Sequence, residues 1–207
     1  MRPVDERTEP TDFELMGRIA VGDADAFDAL FLRHRGAVYG FTLRMVSGDV
    51  SLAEDLTQEC FLRVWRTRPG FRAGMAAVRT YLLTIARHLC LDERKRRQIT
   101  TVPLCLEDTE ASHPPVCAAQ AVGASWSGSG PERTLLIREL AAMLEAAIRG
   151  LPAEQREAVL LRDVEGLSYL EIACITESPL GTVKSRLNAG RGRLRSVLLE
   201  YLEERSR

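Results

Sequence analysis

Three groups of side chains in this 207-residue chain have the types and spacing for recognition chemistry. In the first, Trp65, Phe71 and Tyr81 are interleaved with Arg72, Arg79 and Arg87. Rings stack on bases while guanidinium groups follow a phosphate backbone, so the mixture suits a single nucleic-acid strand. Gly70 and Gly74 beside Phe71 would let that loop wrap an extruded base. The second group, near the C-terminus, is Lys184, Ser185, Asn188, Arg191 and Arg195 on one helical arc, flanked by Arg186 and Arg193. Asn pairs with adenine and Lys or Arg with guanine in a major groove, while outlying arginines hold phosphates. The third group, Asp55, Gln58, Glu59, Leu62, Arg63 and Arg66, falls on the outer arc of a helix at residues 51–66. Each group also has a plainer reading. A Trp or Tyr on an amphipathic helix is commonly core, and a charged arc is commonly a solvated face.

The elements that must position these groups are helical. Apolar residues recur at helical steps, and strand alternation is nearly absent, so the chain is expected to be all-α. Helices are predicted at about 12–21, 24–46, 52–67, 76–97, 132–149, 153–164, 168–175 and 179–202. Capping boxes are expected at Thr11/Glu14, Ser51/Glu54 and Ser168/Glu171, and left-handed helix ends at Gly48, Gly150 and Gly166. Ser178 is the expected N-cap of the last helix, with Pro179 at its first position. Val183, Leu187, Leu194, Leu198 and Tyr201 form the stripe that seats that helix on its neighbours. Residues 168–175, a turn at 176–177 and the helix from 179 make a helix-turn-helix. Between residues 100 and 131 the helical period gives way to Pro, Ser, Gly and Ala, the composition of a flexible linker. The expected organisation is therefore two small helical domains, 11–98 and 132–203, joined by a linker at 99–131.

The net charge of −1 carries no argument for a nucleic-acid partner, but its distribution does. From 60 to 91 every fixed charge is arginine, and from 179 to 199 the charges are Lys184, Arg186, Arg191, Arg193 and Arg195. Two separated basic surfaces fit a ligand touched twice. No apolar run is long enough to span a membrane, and the acidic N-terminus is no signal peptide, so a cytoplasmic protein without membrane insertion is expected. The odd count of five cysteines, with Cys60, Cys90 and Cys174 inside predicted helices, points to buried free thiols. Cys105, His113 and Cys117 in the linker lack the paired spacing of a structural zinc site. With no glycine-rich phosphate loop, nucleophile motif or paired metal ligands, no catalysis, cofactor or metal is expected.

Residues 53–65 (AEDLTQECFLRVW), 82–92 (LLTIARHLCLD), 151–168 (LPAEQREAVLLRDVEGLS) and 181–187 (GTVKSRL) together resemble bacterial RNA polymerase sigma factors of the sigma-70 family, extracytoplasmic-function (ECF) type. The resemblance implies a subunit that directs core polymerase to promoters. Asp55, Gln58, Glu59, Leu62 and Trp65 would then meet the β′ clamp helices of core polymerase, which also offers the β flap as a contact. Phe71, Arg72, Arg79, Tyr81, Thr84, Arg87 and His88 would read and hold the melted −10 strand. Thr182, Lys184, Ser185, Arg186, Asn188 and Arg191 would meet the −35 duplex. An anti-sigma factor is a further implied partner.

The chain departs from that pattern at several places. Glu177 stands where the turn usually has Gly, flanked by Thr176 and Ser178 in place of apolar residues. Tyr81 and His88 replace the usual Trp and Asn, and Gly190 and Gly192 interrupt the recognition helix. Interior glycines predict a softer helix and a weaker phosphate grip. The competing reading is a helix-turn-helix regulator that dimerises on palindromic half-sites without polymerase.

Overall fold

A computed structural model describes residues 9–67, 77–100 and 131–205, and every element among them is helical. Four helices precede the undescribed stretch at 101–130: α1 (Asp12–Ala20), α2 (Ala24–Met45), α3 (Val50–Thr67) and α4 (Val78–Thr100). Four follow it: α5 (Pro131–Gly150), α6 (Ala153–Val159), α7 (Tyr169–Thr176) and α8 (Leu180–Arg205), with a π-helical turn at Leu160–Val164 extending α6. Among the described residues no helix is long and apolar enough to cross a membrane.

Local chemistry starts and stops these helices. The capping boxes at Thr11/Glu14 and Ser168/Glu171 are both formed. The one expected at Ser51 is not. Ser47 and Gly48 both take positive φ, which ends the α2–α3 turn early, and Asp49 accepts the Leu52 N–H at 3.1 Å instead. Ser51 therefore lies inside α3. Ser178 is likewise no cap: its hydroxyl donates to the Thr176 carbonyl at 3.1 Å and accepts from Arg186 at 3.0 Å. The Pro179 carbonyl takes the first bond of α8, from Val183 N–H at 3.1 Å.

The front bundle closes around Leu15 and Ile19 of α1, Leu30 and Phe41 of α2, Cys60 and Phe61 of α3, and Leu82 and Leu83 of α4. Asp12 anchors α1 to α2 through Arg33 at 2.6 Å and His34 at 2.7 Å. Burial alone would raise the Asp12 carboxyl, but those two partners outweigh it and hold the group below the usual carboxylate range. The rear bundle closes around Leu160, Leu161, Ile172, Ile175, Val183 and Leu187. Cys60 and Cys90 are buried, their thiols pushed up to about 12 by burial, whereas Cys174 is exposed, contrary to its expected burial. Cys105, His113 and Cys117 lie outside the described residues.

Gly190 has a packing role besides its cost in helix propensity. A Cβ there would stand 2.8 Å from Val159 Cγ2 and 3.4 Å from the Gln155 carbonyl, so the missing side chain lets α8 lie close against α6. A β-branched valine in a helix cannot swing aside easily. Gly192 has open space where a Cβ would stand, so no close contact requires glycine there.

The two bundles are docked on each other. Arg44 of α2 meets Glu145 of α5 at 2.7 Å. The buried guanidinium of Arg156 donates to Ser47 Oγ at 2.9 Å and to the Arg44 and Met45 carbonyls at 3.3 and 3.5 Å. It also donates to the Leu151 carbonyl at 3.1 Å and to that of Arg149. These are carbonyls at or just beyond the ends of α2 and α5, groups that a helix cannot satisfy internally.

The two glycines give opposite predictions. Gly190→Ala should destabilise the chain by about 1–3 kcal/mol through overpacking. Gly192→Ala should stabilise it by up to about 1 kcal/mol through helix propensity. Urea denaturation of the full chain measures both, and equal effects would refute the close-approach role of Gly190.

Candidate nucleic-acid interface

On α3 the outward arc is as expected. Asp55, Gln58 and Leu62 are exposed, and Leu62 keeps 45% of its surface in water despite being apolar. Glu59 is engaged by Arg63 at 3.1 Å and Arg66 at 3.6 Å. Trp65 is half-buried, its ring edge-on to Phe27 of α2 with centroids 5.2 Å apart. It therefore belongs to the packing between α2 and α3 as much as to the outer face.

Along α4, Arg79, Tyr81, Thr84, Arg87 and His88 are brought onto neighbouring turns, as the sequence predicts. Phe71 and Arg72 lie outside the described residues. The Tyr81 hydroxyl meets Thr67 Oγ1 at 3.2 Å, and Thr84 donates to the Thr80 carbonyl at 2.7 Å. The remaining groups face the rear bundle. Arg79 reaches Glu165 at 2.5 Å, Thr80 donates to Glu171 at 3.0 Å, and His88 approaches Glu177 at 3.9 Å. Arg87 pairs with Glu157 and donates to the Thr176 carbonyl at 3.5 Å. That pair is nearly dry, with 12% of the Arg87 side chain and 5% of the Glu157 side chain exposed. Burial raises the Glu157 carboxyl, and Arg87 opposes that rise.

The π-helical turn contributes to this contact. Glu165 N–H bonds back to the Leu160 carbonyl at 2.9 Å, and just past that widened turn the Glu165 side chain is 4% exposed at the α4 surface. Sequence reading missed Glu157, Glu165, Glu171 and Glu177 as partners of α4. One signal was present: Glu157 sits among Ala158, Leu160 and Leu161, and a carboxylate at a core register demands a cation.

On α8 the expected arc is split. Lys184, Ser185 and Asn188 are exposed, and Thr182 is half-buried, its carbonyl accepting from Ser185 at 2.9 Å. Arg186 is tied to Glu154 at 2.8 Å. Arg191 is held bidentately by Asp163, with Nε to Oδ2 at 3.0 Å, and that bond shifts its pKa upward. Both arginines are thus engaged within their own bundle. Glu177 occupies the left-handed conformation (φ 50°, ψ 37°) that the missing glycine would have taken. The turn is closed by Ser178 N–H to the Ala173 carbonyl at 3.1 Å. Among the described residues no group of three or more His, Cys, Asp or Glu could hold a metal ion.

Comparison with known proteins matches both bundles. The family model for sigma-70 region 2 covers residues 30–99, and that for sigma-70 region 4 covers residues 141–194. The RNA polymerase sigma-H factor of Pseudomonas aeruginosa is 33% identical over 202 residues, spanning 95% of this chain and 98% of that protein. The ECF RNA polymerase sigma-E factor of Escherichia coli is 34% identical over 183 residues, 86% of this chain and 88% of the relative. Among solved structures, the sigma factor RpoE of Bartonella quintana, in complex with the anti-sigma factor NepR, is 28% identical. It superposes with a TM-score of 0.62 over 83% of this chain and 96% of that one. CnrH, in complex with the cytosolic domain of CnrY, shares the fold with a TM-score of 0.61 at 20% identity, over 90% of this chain and 96% of that one.

The left-handed turn yields a direct test. Glu177→Gly should stabilise the rear bundle by about 1 kcal/mol, because a Cβ is removed from a conformation that disfavours it. A thermal midpoint that falls, instead of rising, would show that the Glu177 side chain contributes more than its backbone costs.

Proposed function

The chain belongs to the ECF group of sigma-70 RNA polymerase sigma factors, and from that premise we propose how its surfaces share the work of promoter recognition. It binds core RNA polymerase and directs promoter-specific initiation of transcription. The observation that carries the reading is the match of region 2 and region 4 to two successive bundles in one chain. A dimeric helix-turn-helix regulator offers no account of the match at residues 30–99.

We place the polymerase- and −10-directed module at 11–98, the linker at 99–131 and the −35-directed module at 132–203. Asp55, Gln58, Glu59 and Leu62 present a polar rim around one exposed leucine, suited to the clamp helices of β′, and Trp65 props that surface from behind. The rear module is the part that meets the β flap. Arg79, Tyr81, Thr84, Arg87 and His88, with Phe71 and Arg72 of the preceding loop, form the strand-holding face. Lys184, Ser185 and Asn188 read the duplex directly, since they are exposed on the α8 arc and, unlike Arg191, not held by a carboxylate. Arg186 and Arg191 reach phosphates after exchanging their carboxylate partners. An anti-sigma factor is a partner in the solved relative from Bartonella quintana, and the same class of regulator is proposed here. The protein acts in the cytoplasm with no catalysis of its own.

Reconstituted transcription, core polymerase plus this chain on a promoter library, tests the assignment as a whole. Asp55→Ala should weaken core association about tenfold, the cost of one good interface contact, while leaving the rear bundle folded. Trp65 is the poorer probe, because removing it also strips Phe27 of its neighbour. Lys184→Glu should reduce the salt dependence of duplex binding by about one phosphate contact. Asn188→Ala should cost about 1–3 kcal/mol at one base position. An unchanged salt slope, or normal core binding by the Asp55 variant, would remove those residues from their assigned roles.

A further inference from the structure

We propose that Asp163 is a positioning residue for duplex recognition: acting through Arg191, it competes with DNA phosphate and limits how tightly α8 grips duplex of any sequence. The inference rests on the assignment of α8 as the −35-reading helix. Asp163 lies in the π-helical turn at Leu160–Val164, outside the recognition helix, and reaches across to Arg191 of α8. The contact is bidentate: Nε donates to Oδ2 at 3.0 Å and Nη2 donates to Oδ1. A carboxylate held in this way offers the same pair of acceptor oxygens as a phosphate, so that edge of the guanidinium serves one of them at a time.

The neighbours make the pair more than a loose surface contact. The Tyr169 phenol also engages Arg191. Arg162 lies over the Tyr169 ring, 4.9 Å from its centroid, and is itself fixed by donating to the Leu167 carbonyl at 2.7 Å. The π-helical turn, the start of α7 and the middle of α8 are thereby tied together at one cluster. The Arg191 and Asp163 side chains keep 44% and 37% of their surface in water, so a phosphate can replace the carboxylate without unfolding the bundle. Phosphate contacts add affinity without sequence information, whereas base contacts discriminate. A carboxylate that must be displaced first lowers the sequence-independent share and leaves the contacts of Lys184 and Asn188 untouched. The chain is then held less firmly by duplex that lacks the right bases.

The test titrates the full chain with a fluorescein-labelled mixed-sequence duplex and reads affinity by anisotropy. Asp163→Asn keeps the shape of the side chain and removes its charge, and should tighten binding up to about fivefold, the worth of one well-formed exposed ion pair. Arg191→Ala should weaken binding and lower the salt slope by about one phosphate contact. In the double variant the gain from Asp163→Asn should vanish, because the carboxylate acts through Arg191. Loss of a negative charge with no specific partner would raise affinity equally in both backgrounds, and that result overturns the proposal. Weaker binding by Asp163→Asn overturns it too, since Asp163 would then support Arg191 on the DNA instead of competing for it. Should Asp163→Asn lose helix content by circular dichroism, Tyr169→Phe loosens the cluster from its other side. It should give a smaller gain that also disappears with Arg191→Ala, and no gain refutes the competition. Lys184→Glu separates the two failures. If it weakens duplex binding while the Asp163 and Tyr169 variants match the unaltered chain, this inference alone is lost. If Lys184→Glu, Asn188→Ala and Arg191→Ala all bind duplex normally, the assignment of α8 falls.

Discussion

Two neighbouring residues on one short helix, Arg156 and Glu157, are both buried and both charged. Each is a cost unless partnered, because low-dielectric surroundings penalise an uncompensated ion by several kcal/mol or more. Their partners lie in opposite directions and on different elements. The guanidinium finds the free carbonyls at the ends of α2 and α5, and the carboxylate finds Arg87 of α4. Most of this satisfaction comes from the front bundle. Docking of the bundles is therefore what completes the polar chemistry of α6, and the disposition of every recognition surface follows from it.

The consequences differ from face to face. The arc of α3 points away from the seam, and the exposed part of α8 does too, so their side chains are available as the chain stands. The α4 face is at the seam, where Arg87 is buried against Glu157 and the more exposed Arg79 reaches Glu165. Two backbone devices set the distances involved. The π-helical turn lies just before Glu165, which is buried against α4, and Gly190 lets α8 lie flush on α6. A side chain at Gly190 would push the recognition helix off its support and shift the angle at which Lys184 and Asn188 are offered.

Much of this was legible in the sequence, for reasons local to it. Apolar steps of three and four residues, two capping boxes and the glycines at 48 and 166 marked the helices to within about three residues. Asp49 was missed as a cap because Ser51 and Glu54 supply a matching motif two residues on, and the choice is made by Ser47 entering the left-handed region. Of the candidate DNA contacts on α4, Arg79, Tyr81 and Arg87 were found from residue type and helical spacing, and Thr84 and His88 from the family resemblance. Their carboxylate partners were not found, because they lie 70 to 91 residues away and no periodicity links the two segments. An arginine suited to phosphate is equally suited to glutamate, and sequence cannot say which it meets first. The same holds for Arg186 and Arg191, whose acids, Glu154 and Asp163, precede the helix-turn-helix.

Glu157 gives the seam a particular character. Burial raises its carboxyl above the usual range, and the Arg87 guanidinium against it, with Arg186 nearby, opposes that rise. When the bundles part, water rewards both ions at once and offsets much of the attraction being surrendered. A greasy seam of the same area would have no such compensation and would resist parting. The joint is thus held by a desolvated ion pair, whose loss of attraction on exposure is offset in part by hydration.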